Sequence, residues 1–231
     1  MPAQIAAWAG VHPDAPAVTQ YSRHWTYRQL VDAAAVIAER LSAAGVASGQ
    51  RVAALGPRGF ELVAVWTAVL ATRAVLVPAD PALPVTRQRD ILDRADHVVA
   101  VGDTAVPTAS HIPVIRIADT DLGVGSYEPP AQHVPPADEP AYLFLTSGTT
   151  GRPKGIIGRH RSLAHFLHWQ RTTFHIGPGD RVAHLASVEF DLSLREVFLP
   201  LTSGATLCLP VPGPVLPASV VPWLSSERVT V

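Results

Sequence analysis

Thr146-Ser147-Gly148-Thr149-Thr150-Gly151-Arg152-Pro153-Lys154-Gly155 follows directly on the apolar run AYLFLT. Its reading decides how the rest of the chain is understood. Glycines let a backbone approach a ligand closely and take positive φ. Successive N–H groups in such a turn form an anion-binding concavity. Ser147, Thr149 and Thr150 add hydroxyl donors, and Pro153 stiffens the approach. Lys154 is the single lysine among 18 basic side chains, all the others being arginine. Its ammonium is compact and mobile, well suited to phosphate oxygens. These features describe a phosphate cradle, and the same stretch taken alone also fits a Gly/Thr-rich surface turn. It is not a Walker A loop: Gly155 stands where the magnesium-binding hydroxyl would follow the lysine. The next residues, GIIGRH, read as a strand, so no helix N-terminus is expected behind the loop.

Outward from this loop the chain alternates. TYRQLVDAAAVIAERLSAAG has helical spacing, with Thr26 as N-cap and Gly45 as stop. RVAAL, AVLV and HVVAVG read as short all-apolar strands, separated by a helix over about 59–71 and another around VTRQRDILDRA. Uninterrupted apolar strands alternating with helices predict an α/β fold, its mostly parallel sheets flanked by helices. Three segments are expected: a first α/β segment over 1–102, a Pro-rich surface excursion over 103–140 with one strand in PVIRI, and an α/β segment over 141–231. In the last, SLAHFLHWQRTTF places Leu163, Phe166, Leu167, Gln170 and Phe174 on one helical face, apolar but for Gln170. Phe166 and Trp169 read as core. RVAHLA and ATLCL read as strands, PASVVPWLSS as a helix, and RVTV as a last strand. Ser193-Leu194-Arg195-Glu196 matches a capping box, predicting a helix that begins at about Leu194, with Asp191 just before the cap.

Composition narrows the function. The chain has 231 residues, 48% of them hydrophobic, and a net charge of −1. No clustered basic charge suggests nucleic acid as a partner. The most apolar stretch, residues 62–78, contains Arg73 and ends at Pro78, so it reads as a buried helix and strand rather than a membrane span. The N-terminus lacks the pattern of a signal peptide. Cys208 is the only cysteine and reads as a buried structural thiol. His165, His168, His175 and His184 show no metal-ligand spacing and read for the most part as ordinary surface or partly buried histidines, and no metal site is expected. These readings point to a cytoplasmic protein with neither a membrane nor a nucleic acid as partner.

The loop 146–155 resembles the complete signature loop of the adenylate-forming superfamily, which includes acyl-CoA synthetases, luciferases and the adenylation domains of nonribosomal peptide synthetases. Three further stretches match in order. Trp25-Thr26-Tyr27-Arg28-Gln29-Leu30 resembles the LTYxEL element, and Val77-Pro78-Ala79-Asp80-Pro81 the VPLDP element. Phe190-Asp191-Leu192-Ser193, with Leu201 and Gly204, resembles the FDxS…LxxG element of amino-acid-activating domains. The resemblance covers essentially the whole chain and implies the N-terminal portion of the adenylate-forming fold.

It also implies a reaction. Thr146, Ser147, Gly148, Thr149, Thr150, Gly151 and Lys154 would hold the β- and γ-phosphates of ATP, with Lys154 catalytic. The carboxylate of an amino acid would attack the α-phosphate, giving an aminoacyl-adenylate and pyrophosphate. The phosphopantetheine thiol of a peptidyl carrier protein would then take the acyl group. Asp191 resembles the residue that pairs with the substrate's α-ammonium, although an acidic residue beside a helix start also fits a purely structural role. Arg195 falls at a position that faces the substrate. It would pair either with a substrate carboxylate, favouring an acidic amino acid, or with Asp191. His160 matches a histidine common after the loop and reads as a structural hydrogen-bonding residue. Arg73 stands where the family often has glycine.

The adenine-, ribose- and magnesium-binding elements of the family, and its C-terminal subdomain with a second catalytic lysine, have no counterpart in these 231 residues. The chain therefore reads as a fragment that works with the remainder of an adenylation domain, weakly active or inactive alone. The other readings are an acyl- or aryl-CoA ligase, and a non-catalytic docking or regulatory module.

Overall fold

The computed structural model describes residues 1–107, 111–118, 122, 137–146, 154–211, 213 and 216–231. They form two sheets. One runs β2 (Arg23–Thr26), β1 (Pro16–Gln20), β10 (Thr206–Leu209), β9 (Arg181–Ala183). The other runs β6 (Val114–Ile117), β5 (His97–Val101), β3 (Arg51–Leu55), β4 (Val75–Ala79), β7 (Pro140–Thr146), β8 (Lys154–Arg159). The β1–β2 and β7–β8 pairs are antiparallel and every other pairing is parallel. This is the α/β architecture expected from the all-apolar strands. The first sheet takes strands from near both ends of the chain, so the sheets cut across the sequence segments. RVTV is not a regular strand, but the Val231 N–H donates to Arg181 O, and its carbonyl accepts from the Ala183 N–H at 3.0 Å, along the free edge of β9.

Helices fill the layers beside the sheets: α1 (Pro2–Val11), α2 (Tyr27–Ala43), α3 (Phe60–Ala71), α4 (Val85–Leu92), α5 (His160–Thr173), α6 (Leu192–Ser203) and α7 (Pro217–Ser226). α3 is apolar all round and buried from Leu62 to Leu70, as a helix inside a core should be. Among the described residues no helix is long and apolar enough to cross a membrane. α2 begins as expected: the Gln29 N–H donates to Thr26 Oγ1, and the Thr26 N–H donates to Gln29 Oε1, closing a reciprocal cap. α1 sends only Ile5 fully into the core, so no apolar stripe announces it in the sequence.

The motifs that carry the resemblance hold each other in place. The buried Tyr27 hydroxyl donates to Ala205 O at 2.8 Å, which joins α2 to the end of α6. There Gly204 takes φ 78°, and a Cβ on it would lie 2.8 Å from the Trp8 ring, so both backbone and space require glycine. Arg73 also has left-handed backbone, at φ 61°. Its guanidinium pairs with Glu139 and its carbonyl accepts from the Gly49 N–H, so an arginine is held where glycine would sit freely.

Expectations about burial are corrected here. Phe166 and Trp169 are exposed rather than core, and so is Phe174 on the predicted apolar face: α5 buries only His160, Leu163, Leu167 and Gln170. Phe166 stacks on Trp169, and Phe174 meets it edge-on, so the aromatics cluster on the outer face. Seven of the ten residues of the loop 146–155, Ser147–Pro153, lie outside the described residues, as does much of 103–140.

Candidate functional site

The hairpin of β7 and β8 presents the two ends of the loop. Thr146 pairs with Lys154 in register, and its Oγ1 donates to Lys154 O at 3.3 Å. Both side chains are exposed. The strand that follows the loop is observed, so no helix dipole points at it from behind. The expected contributions of Ser147, Gly148, Thr149, Thr150 and Gly151 fall outside the described residues. On the outlet of β7, Arg87 of α4 donates through Nη2 to Leu145 O at 2.8 Å, and its Nε lies 4.0 Å from Glu189 Oε2. One guanidinium thus joins the loop hairpin to the segment that leads into Asp191.

Asp191 is the N-cap of α6, which starts at Leu192 rather than at Leu194. The predicted capping box does not form. Ser193 is buried and donates back to Phe190 O at 2.6 Å. Glu196 turns away from it and accepts the N–H groups of Leu185 and Ala186 at 2.9 and 2.8 Å. This closes the outlet of β9 around a buried carboxyl, whose pKa burial raises. Sequence spacing had the right residues and the wrong partners: a Glu three after a Ser has two backbones within reach. Asp191 itself caps nothing with its side chain and is exposed. Its charge reaches Tyr142 of β7, whose phenol pKa is raised by burial first and by Asp191 second. The Tyr142 ring packs against Gly158 of the neighbouring strand, where a Cβ would fall 1.9 Å from its Cζ.

Arg195 is one helical turn beyond Asp191 on the same face. Of the alternatives left open by the sequence, pairing with Asp191 is not realised. Arg195 Nε donates instead to Gln170 Oε1 of α5 at 3.2 Å, and among the described residues Asp191 and Arg195 make no ion pair. The loop ends, Tyr142, Asp191 and Arg195 therefore come from β7, β8 and the start of α6. Tyr142 was not singled out from the sequence. Its signal was a lone phenol in an otherwise apolar strand.

Two histidines differ from expectation. His160 is buried, but among the described residues neither ring nitrogen is hydrogen-bonded, so the structural hydrogen-bonding role is not seen. Its pKa is lowered by burial first. His184, read as one of the ordinary histidines, is 1% exposed, with both ring nitrogens unbonded among the described residues. Burial, then the Arg58 charge, lowers its pKa to about 3. His184 belongs to a polar joint where the two sheets meet at the carboxyl ends of their strands. Gln20 Nε2 donates there to Pro210 O at 2.8 Å and to Arg58 O at 3.3 Å, and Arg58 Nη2 donates to Ala186 O at 2.9 Å.

Parallel strands that open by their carboxyl ends beside the β7–β8 hairpin and the start of α6 have the arrangement at which open α/β sheets take ligands. The chain belongs to the AMP-binding enzyme family, whose profile matches residues 5–231. Malpibaldin synthetase of Mortierella alpina is 37% identical over 84% of this chain and 4% of its own length. Isonitrile lipopeptide synthase of Streptomyces coeruleorubidus is 35% identical over 88% of this chain and 14% of its own. Among solved structures, the nonribosomal peptide synthetase FmoA3 superposes with a TM-score of 0.90 at 31% identity, over 99% of this chain and 24% of that one. The N-terminal subdomain of Klebsiella oxytoca NpsA, bound to 3-hydroxybenzoyl-AMSN, gives 0.87 at 26% identity over all of this chain and 58% of that one. The fold is thus that of an adenylation-domain N-terminal subdomain, and the chain spans a small part of its relatives. The CoA-ligase alternative is not favoured by this company of synthetases.

Proposed function

We propose that this chain supplies the phosphate loop and one wall of the amino-acid site of an adenylation domain in nonribosomal peptide biosynthesis. The observation that carries this is the Asp191 carboxylate, exposed at the start of α6 and committed to no cap. It can take the α-ammonium of an amino acid while the ends of the loop face the phosphates. FmoA3 has been solved with AMPPNP and with an α-methyl-L-serine-AMP ligand, which supports the same pairing of nucleotide and amino acid here.

In this reading one carboxylate oxygen attacks the α-phosphorus of ATP. The bond from that phosphorus to the bridging oxygen breaks, and pyrophosphate leaves. Attack of one anion on another needs charge neutralisation and alignment more than covalent help. Thr146, Ser147, Gly148, Thr149, Thr150 and Gly151 supply hydroxyl and N–H donors to the β- and γ-phosphates, and Lys154 follows the charge as it moves onto the pyrophosphate. Asp191 fixes the ammonium, and Arg195 faces the side chain. Magnesium bound to the nucleotide would supply further neutralisation of its phosphates. Among the described residues no group of three or more His, Cys, Asp or Glu gathers to form a cage for it. The remainder of an adenylation domain completes the nucleotide site, and the phosphopantetheine thiol of a peptidyl carrier protein receives the acyl group. NpsA has been solved fused to a carrier protein, which supports that partner. The setting is cytoplasmic.

The test is pyrophosphate–ATP exchange against a panel of amino acids, on this chain alone and with the C-terminal part of an adenylation domain supplied in trans. Exchange that requires one amino acid, and falls about a hundredfold or more in Lys154→Ala, is expected. Exchange with no acid in either arrangement would sink the reading and favour a non-catalytic module. Exchange only with fatty or aryl acids would turn it toward the ligase.

A further inference from the structure

We infer that Gln170 is a positioning residue that holds the Arg195 guanidinium ready for an anionic side chain, so that the site takes an acidic amino acid. This rests on the proposed amino-acid site and deepens it. Gln170 is 7% exposed, the one polar member of the buried face of α5 apart from His160 at its first residue. Its Oε1 accepts from Arg195 Nε at 3.2 Å. That bond uses the edge nitrogen of the guanidinium, and among the described residues its two terminal nitrogens carry no hydrogen bond.

The choice of an amide matters. A carboxylate at position 170 would fix the guanidinium and also cancel its charge. The glutamine fixes the orientation and leaves the positive charge without a paired carboxylate. The neighbouring acids are committed or apart. Glu196 feels the Arg195 charge but spends its oxygen on two backbone N–H groups. Glu189 lies by Arg87, and Asp191 makes no pair with Arg195. Among the described residues the only hydrogen-bond partner of this partly buried cation is neutral, and a carboxylate brought by the ligand can answer its terminal nitrogens with a charge-assisted, two-pronged bond. Asp191 and Arg195 are one turn apart on the same face, with Cβ atoms about 5–6 Å apart. Aspartate or glutamate carries both an ammonium and a side-chain carboxylate, one for each member of this pair.

The experiment measures discrimination in the exchange assay, glutamate against glutamine and aspartate against asparagine, with the C-terminal part supplied. The native chain is expected to favour an acid over its amide by at least about tenfold, the scale of one charge-assisted hydrogen bond. Arg195→Leu should erase that ratio. Gln170→Leu should lower it several-fold while leaving exchange with the amide unchanged. Gln170→Glu is the decisive variant. It strengthens the tie between α5 and α6, so melting should not fall, yet it neutralises Arg195 and should erase the preference. A merely structural Gln170 predicts the opposite, an unchanged ratio in Gln170→Glu. That outcome, or a native chain that activates a neutral amino acid best, overturns the inference and leaves the amino-acid site standing. Exchange with no amino acid at all overturns both.

Discussion

Two buried ionisable residues near the site have opposite pH signatures. His184 takes a proton near 6.5 when unfolded, whereas burial and Arg58 hold it down to about 3 when folded. Between those values only the unfolded chain is protonated. Its contribution to stability is therefore whole above about 6.5 and falls away as pH drops toward 3. His184→Leu should gain on the native protein by a few kcal/mol near pH 4 and show no such pH-dependent gain near pH 8. Thermal melts across that range check it, and a flat difference would refute it. For Glu196 the folded pKa is raised, by burial first. Its contribution is present below the unfolded value near 4.5 and is lost as pH rises through the folded one. Glu196→Gln keeps an acceptor for Leu185 and Ala186 without a buried charge, so its stability relative to the native protein should climb from acid to neutral pH. Glu196→Leu leaves both N–H groups unpaired and should cost about 1–3 kcal/mol in denaturant titrations.

Among the elements, the β7–β8 hairpin and α6 set the site, and they are unequally legible in the sequence. The strand after the loop is readable because GIIGRH lacks helical spacing, and α2 because Thr26 and Gln29 have no rival partners. The α6 start is misleading because Glu196 finds two N–H groups at the outlet of β9, a contact between distant elements that local spacing cannot register. The aromatic side of α5 misleads for a related reason: Phe166 and Phe174 share the helical period with Leu163 and Leu167, and only the neighbours decide which part of that arc is covered. The Asp191 and Arg195 positions are visible through the resemblance, but their independence of each other needs Gln170. The hairpin yields its own prediction. Gly158→Ala would place a Cβ 1.9 Å from the Tyr142 ring and should cost about 1–3 kcal/mol through overpacking. In the Tyr142→Ala background the same change should cost much less. Additive losses in that double-mutant cycle would show that the ring does not explain the glycine.

At the scale of the molecule the two sheets are joined by polar ties rather than by a continuous ladder. Gln20, at the end of β1, holds carbonyls of both Pro210 and Arg58, one beside each sheet. Gln20→Leu strands these acceptors and should lower global stability by about 1–3 kcal/mol. If the joint is shared, hydrogen exchange should rise together in β10 and in the turn after β3. Faster exchange in β10 alone would mean that the sheets open separately.

The first sheet also has a history in time. Its β1 strand sits beside β10, and Thr19 and Cys208, partners across that pair, are 189 residues apart in sequence. A ribosome adds roughly 5–20 residues each second, so β1 must wait about ten to forty seconds for its neighbour to be made. During that interval the β1–β2 hairpin carries a bare, apolar edge while most of the second sheet can already assemble. The β1–β2 pair is thus made well before the strand that completes it, and through that interval its open edge is a template for pairing with another chain.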